Sequence, residues 1–79
     1  MIRALFFGPV AERVGAREVN VEFHAGMCVQ DVRAQLQASY PAAFEIVCFA
    51  AVNGEHTRDM SLPLADNSEV AFMGRFSGG

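Results

Sequence analysis

Only one long stretch of this 79-residue chain carries helical spacing. Between Cys28 and Tyr40 the apolar residues Val29, Val32, Leu36 and Tyr40 recur every three or four positions, with Gln30, Arg33, Gln35 and Gln37 on the other side. Pro41 marks its end. Its start is poorly signalled, because Cys28 stands where Ser or Thr would normally cap a helix. The segments around it read mostly as strands and turns, so the apolar stripe of this helix has a sheet to bury against.

Ile2 to Phe7 reads as a strand, with Ile2, Ala4 and Phe6 on one face and Arg3, Leu5 and Phe7 on the other. Both faces are largely apolar. Gly8-Pro9 breaks the strand, and Val10 to Val14 fits a short helical turn before Gly15. Arg17 to Phe23 alternates, with Val19, Val21 and Phe23 inward and Glu18, Asn20 and Glu22 toward water. A hairpin-like return makes these first two strands neighbours. The nearly continuous apolar run from Ile46 to Val52 predicts a central strand covered on both sides. Asn53-Gly54 follows as a strong hairpin signal, with Glu55 to Thr57 as a short return strand. Ser61 to Ser68 reads as a loop holding Pro63 and the turn residues Asp66-Asn67-Ser68. Glu69 to Met73 is the last strand, with Val70 and Phe72 on one face and Ala71 and Met73 on the other.

The order strand, strand, helix, strand, short strand, strand gives an α+β fold. It is a mixed sheet packed on one main helix, the β-grasp or ubiquitin-like architecture. In such a sheet the final strand pairs beside the first, so the segment after it projects off a rigid edge. The expected division is a folded domain over residues 1–74 and a flexible, free C-terminal Gly-Gly tail over residues 75–79.

A hydrophobic content of 52% supports a core without disulfides or metal, although a domain this size buries only ~60% of its unfolded surface. The net charge of −3 and the lack of a Lys/Arg cluster in sequence argue against a nucleic-acid partner. Cys28 and Cys48 lie far apart without metal-ligand spacing, and are expected to be reduced, packed thiols. His24 and His56 are isolated, so neither a metal site nor a histidine base is expected. The start, Met1 to Ala11, weakly resembles a signal peptide, but Gly8-Pro9 interrupts it and Glu12-Arg13 follows. It is too short for export or a membrane span, and the expected compartment is the cytoplasm.

Chemistry is concentrated at Gly78-Gly79. A terminal glycine carboxylate has no side chain beside it and can enter a narrow site in another protein. Such a carboxylate can be activated with ATP to an acyl-adenylate and passed to a sulfur, oxygen or nitrogen nucleophile. The plain alternative is a frayed terminus; at ~7% glycine usage, two terminal glycines arise in about one chain in 200 by chance. The rest of the chain offers no Ser-His-Asp set and no paired carboxylates. Gly74, Gly78 and Gly79 make no phosphate-cradling loop, since no helix follows them.

The opening Met1-Ile2-Arg3-Ala4-Leu5-Phe6-Phe7, the segment Ala50-Ala51-Val52-Asn53, the run Pro63-Leu64-Ala65-Asp66-Asn67-Ser68-Glu69-Val70-Ala71-Phe72 and the ending Ser77-Gly78-Gly79 together resemble the small subunits of molybdopterin synthase, within the ubiquitin-like sulfur carriers. Asn67 stands where Gly is usual in that family, a mild change because Asn tolerates the left-handed conformation. Gly74-Arg75-Phe76 replaces two prolines and an aliphatic residue, which would loosen and charge the tail. Thr57 and Met73 replace large apolar residues on the expected partner-facing side.

The resemblance implies a carrier that binds no cofactor and is not catalytic alone. A ubiquitin-activating-type adenylyltransferase would use ATP to adenylate Gly79, with Gly78 beside it, and sulfur from a persulfide would then leave a thiocarboxylate. The large subunit of molybdopterin synthase would receive the tail, in an expected heterotetramer, and transfer the sulfur to a pterin precursor. Leu5, Phe7, Met73, Arg75 and Phe76 are the expected partner-binding residues. Three alternatives remain open at this level. They are a carrier for a thiazole, cysteine or other thiometabolite pathway, a ubiquitin-like protein modifier, and a plain interaction domain.

Overall fold

The computed structural model describes residues 1–75. Its elements are β1 (Ile2–Phe6), α1 (Gly8–Val14), β2 (Glu18–Val21), α2 (Val29–Ser39), α3 (Pro41–Phe44), β3 (Val47–Val52), β4 (Glu55–Thr57) and β5 (Glu69–Gly74). One mixed sheet has the order β2-β1-β5-β3-β4. β1 and β5 run parallel with Ala4 beside Val70 and Phe6 beside Phe72, while every other neighbouring pair is antiparallel. The β-grasp expectation holds, including the pairing of the last strand with the first.

The sheet's inner face carries Ile2, Ala4 and Phe6 from β1, Val21 from β2, Ala50 from β3, and Val70 and Phe72 from β5, all buried. α2 covers this face with Val29, Val32 and Leu36. Three phenylalanines meet at its centre. Phe6 stacks on Phe72 with ring centroids 6.1 Å apart, and Phe44 meets Phe72 edge-on at 5.2 Å. Burying one Phe of this kind is worth ~1.5–3 kcal/mol before its packing geometry is counted.

The short helices were the least legible elements. Gly8-Pro9 does end β1, but it also opens α1, because proline's fixed φ and missing N–H suit the first helical turn. Only a turn from Val10 was expected; the helix is seven residues long and buries Val10. Pro41 likewise ends α2 and begins α3, which the sequence reading missed and which carries Phe44 into the core. The expected full cover of β3 is also wrong at its start. Cys48 and Phe49 are exposed on a strand whose register shifts between Val47 and Phe49. Cys48 is therefore a free but not a packed thiol, while Cys28 is partly buried.

The Asn53-Gly54 hairpin is as expected: φ is 49° at Asn53 and 86° at Gly54, a pair of left-handed conformations that joins β3 to β4. Among the described residues no helix is long and apolar enough to cross a membrane.

The weakly signalled start of α2 is held by a partner three residues on. Cys28 N–H donates to Asp31 Oδ2 at 2.8 Å, and the Cys28 side chain accepts from the Asp31 N–H, a capping box with Cys and Asp in place of the usual residues. The next donors are taken by the loop before β5: Val29 N–H reaches Leu62 O at 3.1 Å and Gln30 N–H reaches Met60 O at 2.8 Å. That loop is thereby fixed to the helix side of the molecule, with Leu64 in the core.

The hydrogen bond from the Cys28 N–H, and then the contact with its side chain, holds the Asp31 carboxyl below the ordinary aspartate range. A lowered folded-state pKa contributes stability above the unfolded value of ~3.9 that is lost as pH falls through the folded value. Asp31→Ala is expected to lower the urea midpoint at pH 7. The gap from the parent chain should narrow as pH drops below ~4. Equal midpoints at pH 7, or a gap unchanged at pH 2, would remove this cap from the account.

Candidate functional site

The site is built around the C-terminal end of β5. This strand is the middle one of five, gripped by β1 on one side and β3 on the other. β5 is therefore a central strand with a partner on each side rather than an edge strand, and the expected projection of the tail beyond Arg75 lies outside the described residues. Along β5, Val70, Phe72 and Gly74 face the helices, and Glu69, Ala71 and Met73 face the opposite side.

Gly74 is buried and pairs with Val47. A Cβ added there would lie 3.0 Å from the Ile46 carbonyl oxygen and 3.4 Å from a Val10 methyl. The glycine therefore lets the end of β5 pack beneath α1 and against the entry to β3. The expectation that Gly74 loosens the tail is overturned: it belongs to the strand. Arg75, the last described residue, is exposed. The expected site residues Phe76, Gly78 and Gly79 lie outside the described residues.

The outer face of the sheet is divided lengthwise. At the start of β5, Arg3 Nη2 meets Glu69 Oε1 at 3.3 Å, an exposed pair that contributes little stability. Toward the end of β5 the same face turns apolar. Leu5 lies beside Ala71, and Met73 lies beside Phe49, in register on adjacent strands. Leu5 and Met73 are half-buried; Phe7 and Phe49 are each 45% exposed. Phe7 has left the strand and occupies the N-cap of α1 in an extended conformation. The loop over residues 61–68 does not cover this patch, because its backbone bonds and Leu64 tie it to the helix side.

Leu5 and Met73 lie on the outer face near the end of β5, and Phe7, just past the end of β1, is exposed near Leu5. Phe49 completes the group and was missed. Its apolar run, read as buried on both sides, gave no sign that the register shift would leave its first residues uncovered. Thr57 was placed on the same face as Met73, and that is wrong: it pairs with Ala50, which points to the core, so Thr57 lies on the opposite side. Among the described residues no group of three His, Cys, Asp or Glu side chains is arranged to hold a metal. His24 and His56 are both exposed.

A family model described as ThiS family matches residues 4–79 of the chain. The chain belongs to the ThiS family. It is 33% identical to the molybdopterin synthase sulfur carrier subunit of Chlamydomonas reinhardtii over 81 residues, covering 99% of this chain and 98% of that protein. Among solved structures it is similar to SAMP1 from Haloferax volcanii, with a TM-score of 0.86 and 24% identity over 99% of this chain and 98% of that one. It is also similar to a chain in the complex of subunits 1 and 2 of the molybdopterin-converting factor from Helicobacter pylori 26695. There the TM-score is 0.74 and the identity 22%, over 99% of this chain and 97% of that one. The structural likenesses establish a ubiquitin-like β-grasp for this ThiS-family chain.

The close fit at Gly74 gives a direct test of how β5 ends. Gly74→Val should lower stability by ~1–3 kcal/mol through overpacking against Ile46 and Val10, with Gly74→Ala costing less. Denaturant unfolding of the two variants reads this order. A Val variant as stable as the parent would mean that the strand end is loose.

Proposed function

We propose that this ThiS-family chain is the sulfur-carrier subunit of a molybdopterin synthase, working through a thiocarboxylate on Gly79. The observation that carries the reading is the full-length relationship to a molybdopterin synthase sulfur carrier subunit, with 98% of that protein covered. The arrangement of the fold supports it physically. The middle strand of the sheet ends at the buried Gly74, and the apolar residues Leu5, Phe7, Phe49 and Met73 lie toward that same end of the outer face. An uncovered apolar patch on a small domain marks a docking surface. A partner seated there lies beside the end of β5.

In this reading the chain catalyses nothing alone and binds no cofactor. A ubiquitin-activating-type adenylyltransferase docks on the patch and joins the Gly79 carboxylate to the AMP portion of ATP, releasing pyrophosphate. The terminal sulfur of a persulfide then displaces AMP to form an acyl disulfide, and a second thiol of the donor cleaves its S–S bond, leaving the thiocarboxylate on Gly79 and a disulfide on the donor. The same patch, with Arg75 and Phe76, next docks the large subunit in a heterotetramer. That subunit's active site accepts Gly78-Gly79, and the sulfur passes to a pterin precursor. Glycines suit the narrow path because neither carries a Cβ. The reading places the protein in the cytoplasm, without nucleic-acid or membrane partners.

Intact-mass spectrometry after incubation with the cognate activating enzyme, ATP and a persulfide donor tests this step. The parent chain should gain the mass difference between sulfur and oxygen. Deleting Gly79, or adding one residue after it, should cut the yield at least ~100-fold, because misplacement of ~1 Å at a reacting atom has that effect. Phe7→Asp should keep the fold and weaken docking at least ~10-fold. A chain that never takes up sulfur from its cognate enzyme overturns the carrier reading, and lysine-linked adducts in its place favour a protein modifier.

A further inference from the structure

A second surface lies on the other flank of β3, where β4 stops short. β3 runs from Val47 to Val52, but β4 pairs only with Ala50, Ala51 and Val52. Among the described residues, the first half of β3 has β5 on one side and no strand on the other. A groove of about 630 Å³ opens there, bordered by Arg33, Arg58, His56, Cys48, Phe49 and Met60.

Its charge runs against that of the chain. The formal net charge is −3, yet the groove is lined by two arginines and a histidine and by no carboxylate. Among the described residues, carboxylates pair with Arg3, Arg13 and the N-terminal ammonium, and none pairs with Arg33 or Arg58. The adjacent acid, Asp59, is occupied: it accepts from the Ser61 N–H at 3.0 Å and from the Ser61 hydroxyl at 2.6 Å. Arg33 is also held in place, since its guanidinium lies 5.7 Å from the centre of the Phe44 ring. His56 meets Phe49 edge-on at 6.3 Å.

We propose that this groove docks an extended, acidic segment of a partner protein, added as a strand beside Cys48 and Phe49 with its carboxylates on Arg33 and Arg58. The choice of a peptide over a small anion follows from what the groove combines. An uncovered strand flank offers main-chain hydrogen bonds, Phe49 and Met60 offer apolar contact, and the two arginines come from different elements, α2 and the segment after β4. A small anion would use only the last of these. Charge complementarity would also speed encounter and weaken with salt. This inference does not depend on what Gly79 carries.

The test is a 15N-HSQC titration of the full chain with the peptide acetyl-Val-Glu-Val-Asp-Val-Glu-amide, and with a twin in which Gln and Asn replace Glu and Asp. The expected result is amide shifts confined to Arg33 and residues 47–50 and 56–60, with binding about tenfold weaker for the twin and for Arg58→Glu. Arg33→Glu should act in the same direction; Arg58 is exposed, so its variant keeps the test valid if loss of the Phe44 contact disturbs the fold. No shifts in these segments, equal binding by the twin, or undiminished binding by Arg58→Glu would overturn the proposal. So would inorganic phosphate that displaces the peptide and reproduces its shifts, which would make the groove a small-anion site.

Discussion

The contact among Phe6, Phe44 and Phe72 is the constraint on which the rest of this molecule depends. It joins three segments far apart in sequence: the first strand, the short helix after Pro41, and the last strand. Phe6 and Phe72 are direct neighbours across the parallel pair β1 and β5, and a parallel pair cannot be made by a tight turn. The whole intervening chain must cross over, and the helices on the inner face are what it crosses with. Removing any one ring from such a core removes both its transfer energy and its support for the others, a loss of ~3–5 kcal/mol. For a domain of this size that is a large share of a net stability of roughly 4–12 kcal/mol.

Fixing β5 at the centre of the sheet also fixes where the chain leaves it. Gly74 has no side chain because the Ile46 carbonyl and Val10 occupy the space a Cβ would need, so the strand is held to its last residue. The outer face follows the same logic. Inward positions are taken by the core, which leaves Leu5, Ala71, Met73 and Phe49 on the other side, with polar Arg3 and Glu69 at one end and the apolar residues at the other. The folded body thus presents an apolar patch on its outer face beside the end of β5.

Much of this was legible in the sequence because alternation is a strong signal when one face is buried. Ile2, Ala4 and Phe6, and again Val70 and Phe72, announced their faces, and Asn53-Gly54 announced its hairpin. What failed did so for identifiable reasons. Proline was read as a stop at positions 9 and 41, although it also starts helices, and so α1 was shortened and α3 lost. The run from Ile46 to Val52 hid a register shift that has no mark in composition, which concealed the exposure of Cys48 and Phe49. Gly74 was read as flexible when it is a packing residue, because a glycine demanded by close approach looks like any other glycine in a sequence. Thr57 was put on the wrong face for want of the hairpin register. The basic groove was invisible for a different reason: Arg33 and Arg58 are 25 positions apart, and only the fold brings them to one surface.

The proposed function rests on one atom group at the end of the chain, and the most direct measurement follows sulfur out of it. The chain is loaded with a radioactive sulfur label at its terminal thiocarboxylate and mixed with its cognate large subunit and the pterin precursor. The label is expected to leave the chain and appear in the dithiolene of the pterin product, in proportion to the carrier consumed. Label that stays on the chain, or that is lost as sulfide while the precursor is unchanged, would contradict the proposed function.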